Sequence, residues 1–248
     1  NLNGDAGDDI FDGGIGNDII DGGSGTDRAS YSLSTAAVVV DLAAGTAIDG
    51  LGGIDSLSNI ENADGSIFSD RITGDSLNNR LVGNGGNDVL IGGSGDDVLV
   101  GVGAGSQTAG FGPFGAKGIQ ERDVLTGGAG NDRFILGDNN EIYYLGGGAT
   151  FADIAIIGTE KPTGGYTGDF GAGDIIQVQK GFVYRIEQSG TNTLIYGTNS
   201  ASTSASFIDT MAVVVDATIV DIGNSLQDQN GASLQLIGND GVSNLWFA

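Results

Sequence analysis

Aspartate recurs at the sixth place of a nine-residue unit in three stretches of this chain. GDAGDDIFD, GGIGNDIID and GGSGTDRAS run head to tail from Gly4 to Ser30 and place Asp9, Asp18 and Asp27 there. GSIFSDRIT, GDSLNNRLV, GNGGNDVLI and GGSGDDVLV fill residues 65–100 with Asp70, Asn79, Asp88 and Asp97, and GIQERDVLT and GGAGNDRFI fill 118–135 with Asp123 and Asp132. Glycines hold the first and fourth places, among them Gly4, Gly7, Gly13, Gly16, Gly22, Gly83, Gly92 and Gly127. Glycine permits positive φ and close backbone approach, so six such residues curl into a tight loop with carbonyls turned inward. The loop is a half-cage of oxygens. Calcium takes roughly six to eight oxygens at about 2.3–2.6 Å, so one loop leaves its shell incomplete and two stacked loops complete it. A single Gly-Asn-Asp or Gly-Asp-Asp triplet is an ordinary turn in which the side chain bonds its own backbone. Tandem repetition in one frame points to the metal instead.

The elements that hold these loops follow from the last three residues of each unit, which read as a short strand with the eighth residue pointing inward. Those eighth residues are Phe11, Ile20 and Ala29 in the first block and Ile72, Leu81, Leu90 and Leu99 in the second. An apolar period of nine fits no helix. Two units then make one turn of a flattened coil, and each loop stacks on the loop two units away. The pairs expected to share a site are Asp9 with Asp27, Asp70 with Asp88, and Asn79 with Asp97. Asp18 needs a partner in the irregular stretch after Tyr31.

This glycine- and aspartate-rich nonapeptide resembles the repeat of the RTX family of secreted calcium-binding proteins, a repeat associated with parallel β-helices that bind calcium. The resemblance implies an all-β fold: a parallel β-roll, or β-helix solenoid, with several calcium ions between stacked loops and a β-rich C-terminal cap. VVVDLAAGTA followed by DSLSNIENADGS is a pairing common between repeat blocks of that family, and TGDFGAGDIIQV resembles a segment that follows the last repeats in many members. The family usually leaves the cell in one step through an uncleaved C-terminal signal, a role that VSNLWFA at the end of this chain would suit.

Along the chain, residues 1–135 read as the calcium-binding β-roll and 136–248 as a cap, assembly or export region. Within the roll, regular repeats occupy 4–30 and 65–100, and an irregular coil with little or no calcium occupies 31–64. An excursion occupies 101–117 and the last repeats 118–135. In 31–64, Val38 to Val40 reads as strand, Gly45 and Gly50 as turns, and Leu57, Ile60 and Ile67 as further inward positions. Glu61 is either solvated or a calcium ligand in a modified turn. In the excursion, Phe111, Pro113 and Phe114 form either a local plug over the coil or an interaction knob. The β-rich runs after Leu136 suit a cap, because a solenoid without one presents an open edge to other chains. Its tyrosines and phenylalanines read as half-buried packing residues, with glycan or subunit binding as the alternative.

Charge ties these readings together. The 248 residues carry a net charge of −23, with 9 Lys and Arg against 32 Asp and Glu, yet 39% are hydrophobic. So acidic a chain repels itself and stays extended until divalent ions neutralise facing carboxylates, so metal binding and folding become one process. Calcium levels outside the cell, around millimolar, suit weak stacked sites of this kind, which places the folded chain on the extracellular surface. The charge repels nucleic acid, and no apolar run of about 18 residues is present to span a membrane. There is no histidine and no cysteine, which excludes Ser-His-Asp and Cys-His catalysis, zinc protease motifs and His-ligated zinc. No signal peptide is visible, and Asn1-Leu2 continues the frame backwards, so a longer protein is expected. Two functions follow. One is a non-enzymatic structural protein that assembles into a surface layer, sheath or filament. Its contacts come from the C-terminal region, and it approaches anionic surface polysaccharide only through calcium bridges. The other is a calcium-folded export and stability module of a larger secreted enzyme, toxin or adhesin.

Overall fold

The computed structural model describes residues 1–103 and 121–136 without interruption. Beyond these it describes 108–111, 114–117, 141–144, 154–160, 166–167, 174–177, 183–189, 192–198, 207–214, 219–221, 226–228, 233–237 and 244–247. Every regular element among them is a strand, and none of them is a helix long and apolar enough to cross a membrane. Pro113 and the turn of the excursion lie outside the described residues.

Successive strands alternate between two sheets, one of thirteen strands and one of ten. Pairing is parallel through the repeats and advances by two nonapeptides per step: Leu2 lies beside Ile20, Ile10 beside Arg28, Arg71 beside Val89 and Arg80 beside Val98. This is the expected coil. A three-residue strand has one side chain on the inner face, because neighbours along a strand point to opposite faces. The eighth residues take that face. Ile72, Leu81, Leu90, Leu99, Leu125 and Phe134 are wholly buried in one apolar column, whereas Ile10 and Ile19, at seventh places, are 64% and 54% exposed.

The stretch 31–64 departs from the expected continuation of the coil. Val39–Asp41, Thr46–Ile48 and Ile54–Ser58 all lie in the larger sheet and pair antiparallel as a meander. Gly45 makes the first reversal at φ 67°, with the Asp41 carboxylate accepting from the Ala44 N–H at 2.8 Å. Gly50 and Gly52, at φ 68° and 105°, make the second. The coil resumes when Asn62–Asp64 joins the smaller sheet between Arg28–Ser30 and Arg80–Asn84. Two strands thus enter one sheet with no counterpart in the other. The loops at 59–61 and 74–79 stand apart there around a cavity of about 160 Å³ lined by Leu42, Leu57, Ile60, Glu61, Asp75 and Leu77. Leu57 and Ile60 are buried as expected, but Ile67 is 50% exposed. It sits in the loop 65–70, and the inward position of that turn belongs to Ala63, which is wholly buried.

The excursion does leave the coil. Thr108–Phe111 and Phe114–Lys117 pair antiparallel as a hairpin in a separate small sheet with Glu141–Tyr143. Past it, Ile154–Ile157 and Ile175–Gln177 extend the two large sheets in parallel. Toward the far end antiparallel pairs take over: Asn192–Thr198 with Phe207–Val214 and with Val183–Ser189, and Leu226–Asp228 with Ser233–Ile237.

The buried column makes a direct forecast. Leu90→Ala should lower the stability of the calcium-saturated chain by about 2–5 kcal/mol, and Ile19→Ala by less than about 0.5 kcal/mol. Urea denaturation followed by circular dichroism measures both, and equal losses would contradict the register.

Candidate metal centre

Each six-residue loop connects the two sheets, and its sixth residue stands at the entrance to the next strand, as Asp9 does before Ile10–Phe11 and Asn79 before Arg80–Asn84. The carboxylate there reaches back one coil. The Asp9 N–H donates to Asp27 Oδ1 at 2.8 Å, the Asp70 N–H to Asp88 Oδ1 at 2.8 Å, and the Asn79 N–H to Asp97 Oδ1 at 2.7 Å. The three pairs expected to share sites are therefore in contact. The ladder runs on through Asp88 to Asp123, Asp97 to Asp132 and Asp132 to Asp174, at 2.8 to 2.9 Å. The missing partner of Asp18 is Asp55, whose Oδ1 accepts from the Asp18 N–H at 3.0 Å.

Glu61 takes the sixth-place role on the other side of the insertion. Its Oε2 accepts from the Asp27 N–H at 2.8 Å, and it is half-buried rather than solvated. The loop at 59–61 is short, so a longer side chain spans the same gap. Asp55 and Asp174 were not among the expected site residues. Asp174-Ile175-Ile176 repeats the spelling Asp18-Ile19-Ile20, which was the available signal.

A second ladder lies on the solvent side at the fifth place, and it runs the other way. Asp8 Oδ1 accepts from the Thr26 N–H at 2.9 Å, Asn78 Oδ1 from the Asp96 N–H at 2.8 Å, and Asp96 Oδ1 from the Asn131 N–H at 2.8 Å. A short side chain with an acceptor oxygen at this place carries a backbone donor that would otherwise lack a partner. The Gly-Asn-Asp and Gly-Asp-Asp triplets thus supply one ladder in each direction.

The glycines divide into two kinds. Gly95 and Gly16, at fourth places, sit at φ 110° and 121°, a region that L side chains avoid. Gly7 shares that conformation. First-place glycines have ordinary φ but stand where a side chain has no room. A Cβ on Gly92 would fall 2.2 Å from Asp97 Oδ2 and 2.5 Å from the Gly127 carbonyl oxygen. Gly4 faces Asp9 Oδ2 and the Gly22 oxygen, and Gly83 faces Asp88 Oδ2 and the Gly101 oxygen. Gly22 faces Asp27 Oδ2 and the Asn59 oxygen, and Gly127 faces Asp132 Oδ2. Gly13 is looser, with Asp55 Oδ2 and Asp18 Oδ2 at 3.2 and 3.4 Å.

Around these glycines, carboxylate and carbonyl oxygens of successive coils crowd together. The second carboxylate oxygens of Asp9, Asp27, Asp88 and Asp97 are buried and accept no hydrogen bond, and each lies beside a carbonyl oxygen of the next coil. Buried acceptors facing other acceptors are unfavourable unless a positive centre lies between them. All donors are oxygens, which suits a hard cation such as calcium and not a thiophilic metal. Among the described residues no three acidic side chains converge on one point. A bound ion would therefore draw on one carboxylate per loop together with backbone carbonyls.

Other expected sites are closed by the chain itself. Asp70 accepts from the Ser66 N–H and hydroxyl and from the Val38 N–H. Asn79 accepts from the Asp75 N–H through Oδ1, and its Nδ2 donates to the Glu61 carbonyl at 2.8 Å. Asp123 Oδ2 accepts from the Tyr144 hydroxyl at 2.5 Å.

Burial raises Asp97, Asp88 and Asp123 above the usual carboxylate range. Asp97 is pushed up to about 7, chiefly by desolvation and then by the charge of Asp132, against the hydrogen bond from Asn79. Asp88 is raised by burial and by its neighbour Asp123, and Asp123 by burial. A folded-state value above the unfolded one means the fold holds the extra proton, so its contribution is present at low pH and lost as pH rises through the folded value. In calcium-free buffer the β signal should therefore persist better near pH 4.5 than at pH 8, whereas saturating calcium should restore it at pH 8. Thermal melts read by circular dichroism test this, and a metal-free chain more stable at pH 8 would contradict it. Gly92→Ala should weaken calcium binding about tenfold or more, as overpacking costs about 1–3 kcal/mol. Gly7→Ala has open space around its Cβ and should cost of order 1–3 kcal/mol in backbone strain while the number of bound ions stays unchanged. Calorimetric titration separates the two.

The repeats match a known family model. A family model for the RTX calcium-binding nonapeptide repeat, in four copies, matches residues 1–29, 64–102 and 118–152. No curated protein matches the chain. Among solved structures, the crystal structure of the extracellular lipase LipA from Serratia marcescens is similar at 18% identity over 86% of this chain, with a TM-score of 0.19. The chain spans 37% of the length of that lipase. Repeats of that kind bind calcium, and residues 1–29, 64–102 and 118–152 of this chain are RTX calcium-binding nonapeptide repeats.

Proposed function

We propose that this chain is a secreted, non-enzymatic structural protein that folds on calcium outside the cell and assembles into a surface layer, sheath or filament. RTX repeat proteins are typically secreted, and stacked oxygen sites of modest affinity fill at the roughly millimolar calcium found outside cells. Folding would then be withheld until export, since the metal-free chain carries a net charge of −23.

The observation that carries the assembly is an apolar row on the outer face of the larger sheet. Ile54 pairs with Ile48, and Ile48 with Val39, across the inserted meander. The three are 60%, 51% and 42% exposed. A contiguous exposed apolar row is the kind of surface that marks a contact with another chain. It gives the roll a contact surface beside any formed by residues 136–248. The solvent-facing carboxylates would meet an anionic surface polysaccharide only through calcium.

The purified chain should form ordered polymers in millimolar calcium that dissolve on chelation, as seen by negative-stain electron microscopy. Ile48→Lys should abolish them while leaving the circular dichroism of the calcium form intact. A parent chain that stays monomeric at high concentration in calcium would overturn the assembly and favour the alternative, a folded module of a larger secreted enzyme, toxin or adhesin.

A further inference from the structure

The shortened loop 59–61 leaves a gap in the stack of loops along its edge of the roll. Elsewhere on that edge each loop pairs with the next through its backbone. The third-place Ser24 N–H donates to the Asp5 carbonyl, the Ser24 carbonyl accepts from the Gly7 N–H, and the Ser94 N–H donates in the same way to the Asp75 carbonyl. The fifth-place N–H groups of Thr26 and Asp96 donate to Asp8 Oδ1 and Asn78 Oδ1. Loop 74–79 lies next to 59–61, because the strands they lead into, Arg80–Asn84 and Asn62–Asp64, are paired. A connection of three residues offers loop 74–79 no such partners. The N–H and carbonyl of Ser76 and the N–H of Asn78 make no hydrogen bond among the described residues, and both residues are exposed. Unpaired backbone donors and acceptors in a row are what an extended peptide pairs with.

The gap meets the cavity of about 160 Å³ between the two loops, since Asp75 and Leu77, on either side of Ser76, both line it. An apolar cavity of about 150 Å³ takes one benzene-sized group, so this one has room for a single side chain. Leu42, Leu57 and Ile60 give it a buried apolar wall, and Leu77 is 52% exposed. Glu61 and Asp75 add two carboxylates to the lining, and among the described residues no basic side chain pairs with either. Hydrocarbon beside two uncompensated negative charges suits a lysine side chain, whose methylenes pack on apolar surface while its ammonium stays with the charge. A calcium ion is not the natural occupant. The Glu61 carbonyl already accepts from Asn79 Nδ2 at 2.8 Å, and leucine and isoleucine offer no oxygen.

We propose that this notch binds an extended, lysine-bearing peptide segment of another protein, whose backbone pairs with Ser76 and whose ammonium reaches Glu61 and Asp75. The net charge of −23 favours a basic partner. The proposal is independent of assembly. In saturating calcium, fluorescence anisotropy should show a labelled Gly-Gly-Lys-Gly-Gly peptide binding the chain, with its acetyl-lysine form about tenfold weaker. Asp75→Asn keeps the Oδ1 acceptor that holds the Leu77 N–H at 2.7 Å and removes the charge, so it should also weaken binding about tenfold, with circular dichroism unchanged. Leu77→Lys supplies the cavity with an ammonium of the chain's own and should abolish binding. This change falls at an exposed position, so it keeps the test open should Asp75→Asn not fold. Equal binding of the lysine and acetyl-lysine peptides, or no binding of either, would overturn the proposal. Butylammonium binding as tightly as the peptide would overturn the backbone pairing and leave a pocket for small amines only.

Discussion

The sixth-place carboxylate has two oxygens with two different duties, and the rest of the structure depends on that division. One oxygen accepts a backbone N–H from the preceding coil, which fixes the distance between coils and satisfies a buried donor. The other is left beside a carbonyl oxygen of the following coil. The same side chain that ties two coils together therefore creates a point of negative potential between them. Burial, and then the neighbouring carboxylates Asp132 and Asp123, displace Asp97 and Asp88 upward. With a cation there, the attraction and the backbone ladder act in the same direction.

This division explains why so thin a core suffices. Each turn of the roll contributes only two inward side chains, such as Leu90 and Leu99, and their burial is worth about 1.5–3 kcal/mol each. Ordering the eighteen residues of that turn costs far more than this, at about 1–2 kcal/mol per residue for the backbone alone. Backbone ladders along both sheets and the fifth-place ladder offset part of this, and any ion bound only by the folded coil would add to that offset. Binding free energy is then folding free energy.

Much of this was legible in the sequence, because a nine-residue period imposes its own geometry. Phe11, Ile20, Ile72, Leu81, Leu90 and Leu99 could be placed in the core, and Asp9 could be paired with Asp27, from spacing alone. The insertion was harder to read. Val38 to Val40 and the turns at Gly45 and Gly50 were visible, but whether a short strand pairs in parallel or folds back depends on the sheet edge it meets. Ile67 was placed inside by apolar alternation, yet its place in the loop 65–70 puts it outside. Glu61 stayed ambiguous because its role comes from a loop shortened to three residues, which makes a glutamate equivalent to an aspartate elsewhere. Asp55 was hidden by a frame offset: GLGGID spells the repeat loop without the nonapeptide that surrounds it.

The column of sites also has places where the chain provides its own positive partner. Ser66 donates to Asp70, the neutral amide of Asn79 replaces a carboxylate, Tyr31 donates to Asp55 and Tyr144 to Asp123. Both tyrosines are pushed above their ordinary value, by burial first and then by the adjacent aspartates, so each phenol keeps its proton and remains a donor. A hydroxyl delivers a partial positive charge to one oxygen where a calcium ion would serve several, and at these places the chain uses its own donors. Three of them lie at the borders of the regular blocks, with Tyr31 and Ser66 flanking the insertion and Tyr144 following the excursion, whereas Asn79 stands inside the second block. Where the frame is broken, two loops no longer present a complete oxygen cage, and a side-chain donor is the cheaper way to satisfy the remaining carboxylate. The sixth-place carboxylates thus divide into those whose oxygens a serine or tyrosine hydroxyl satisfies and those whose second oxygen is left bare.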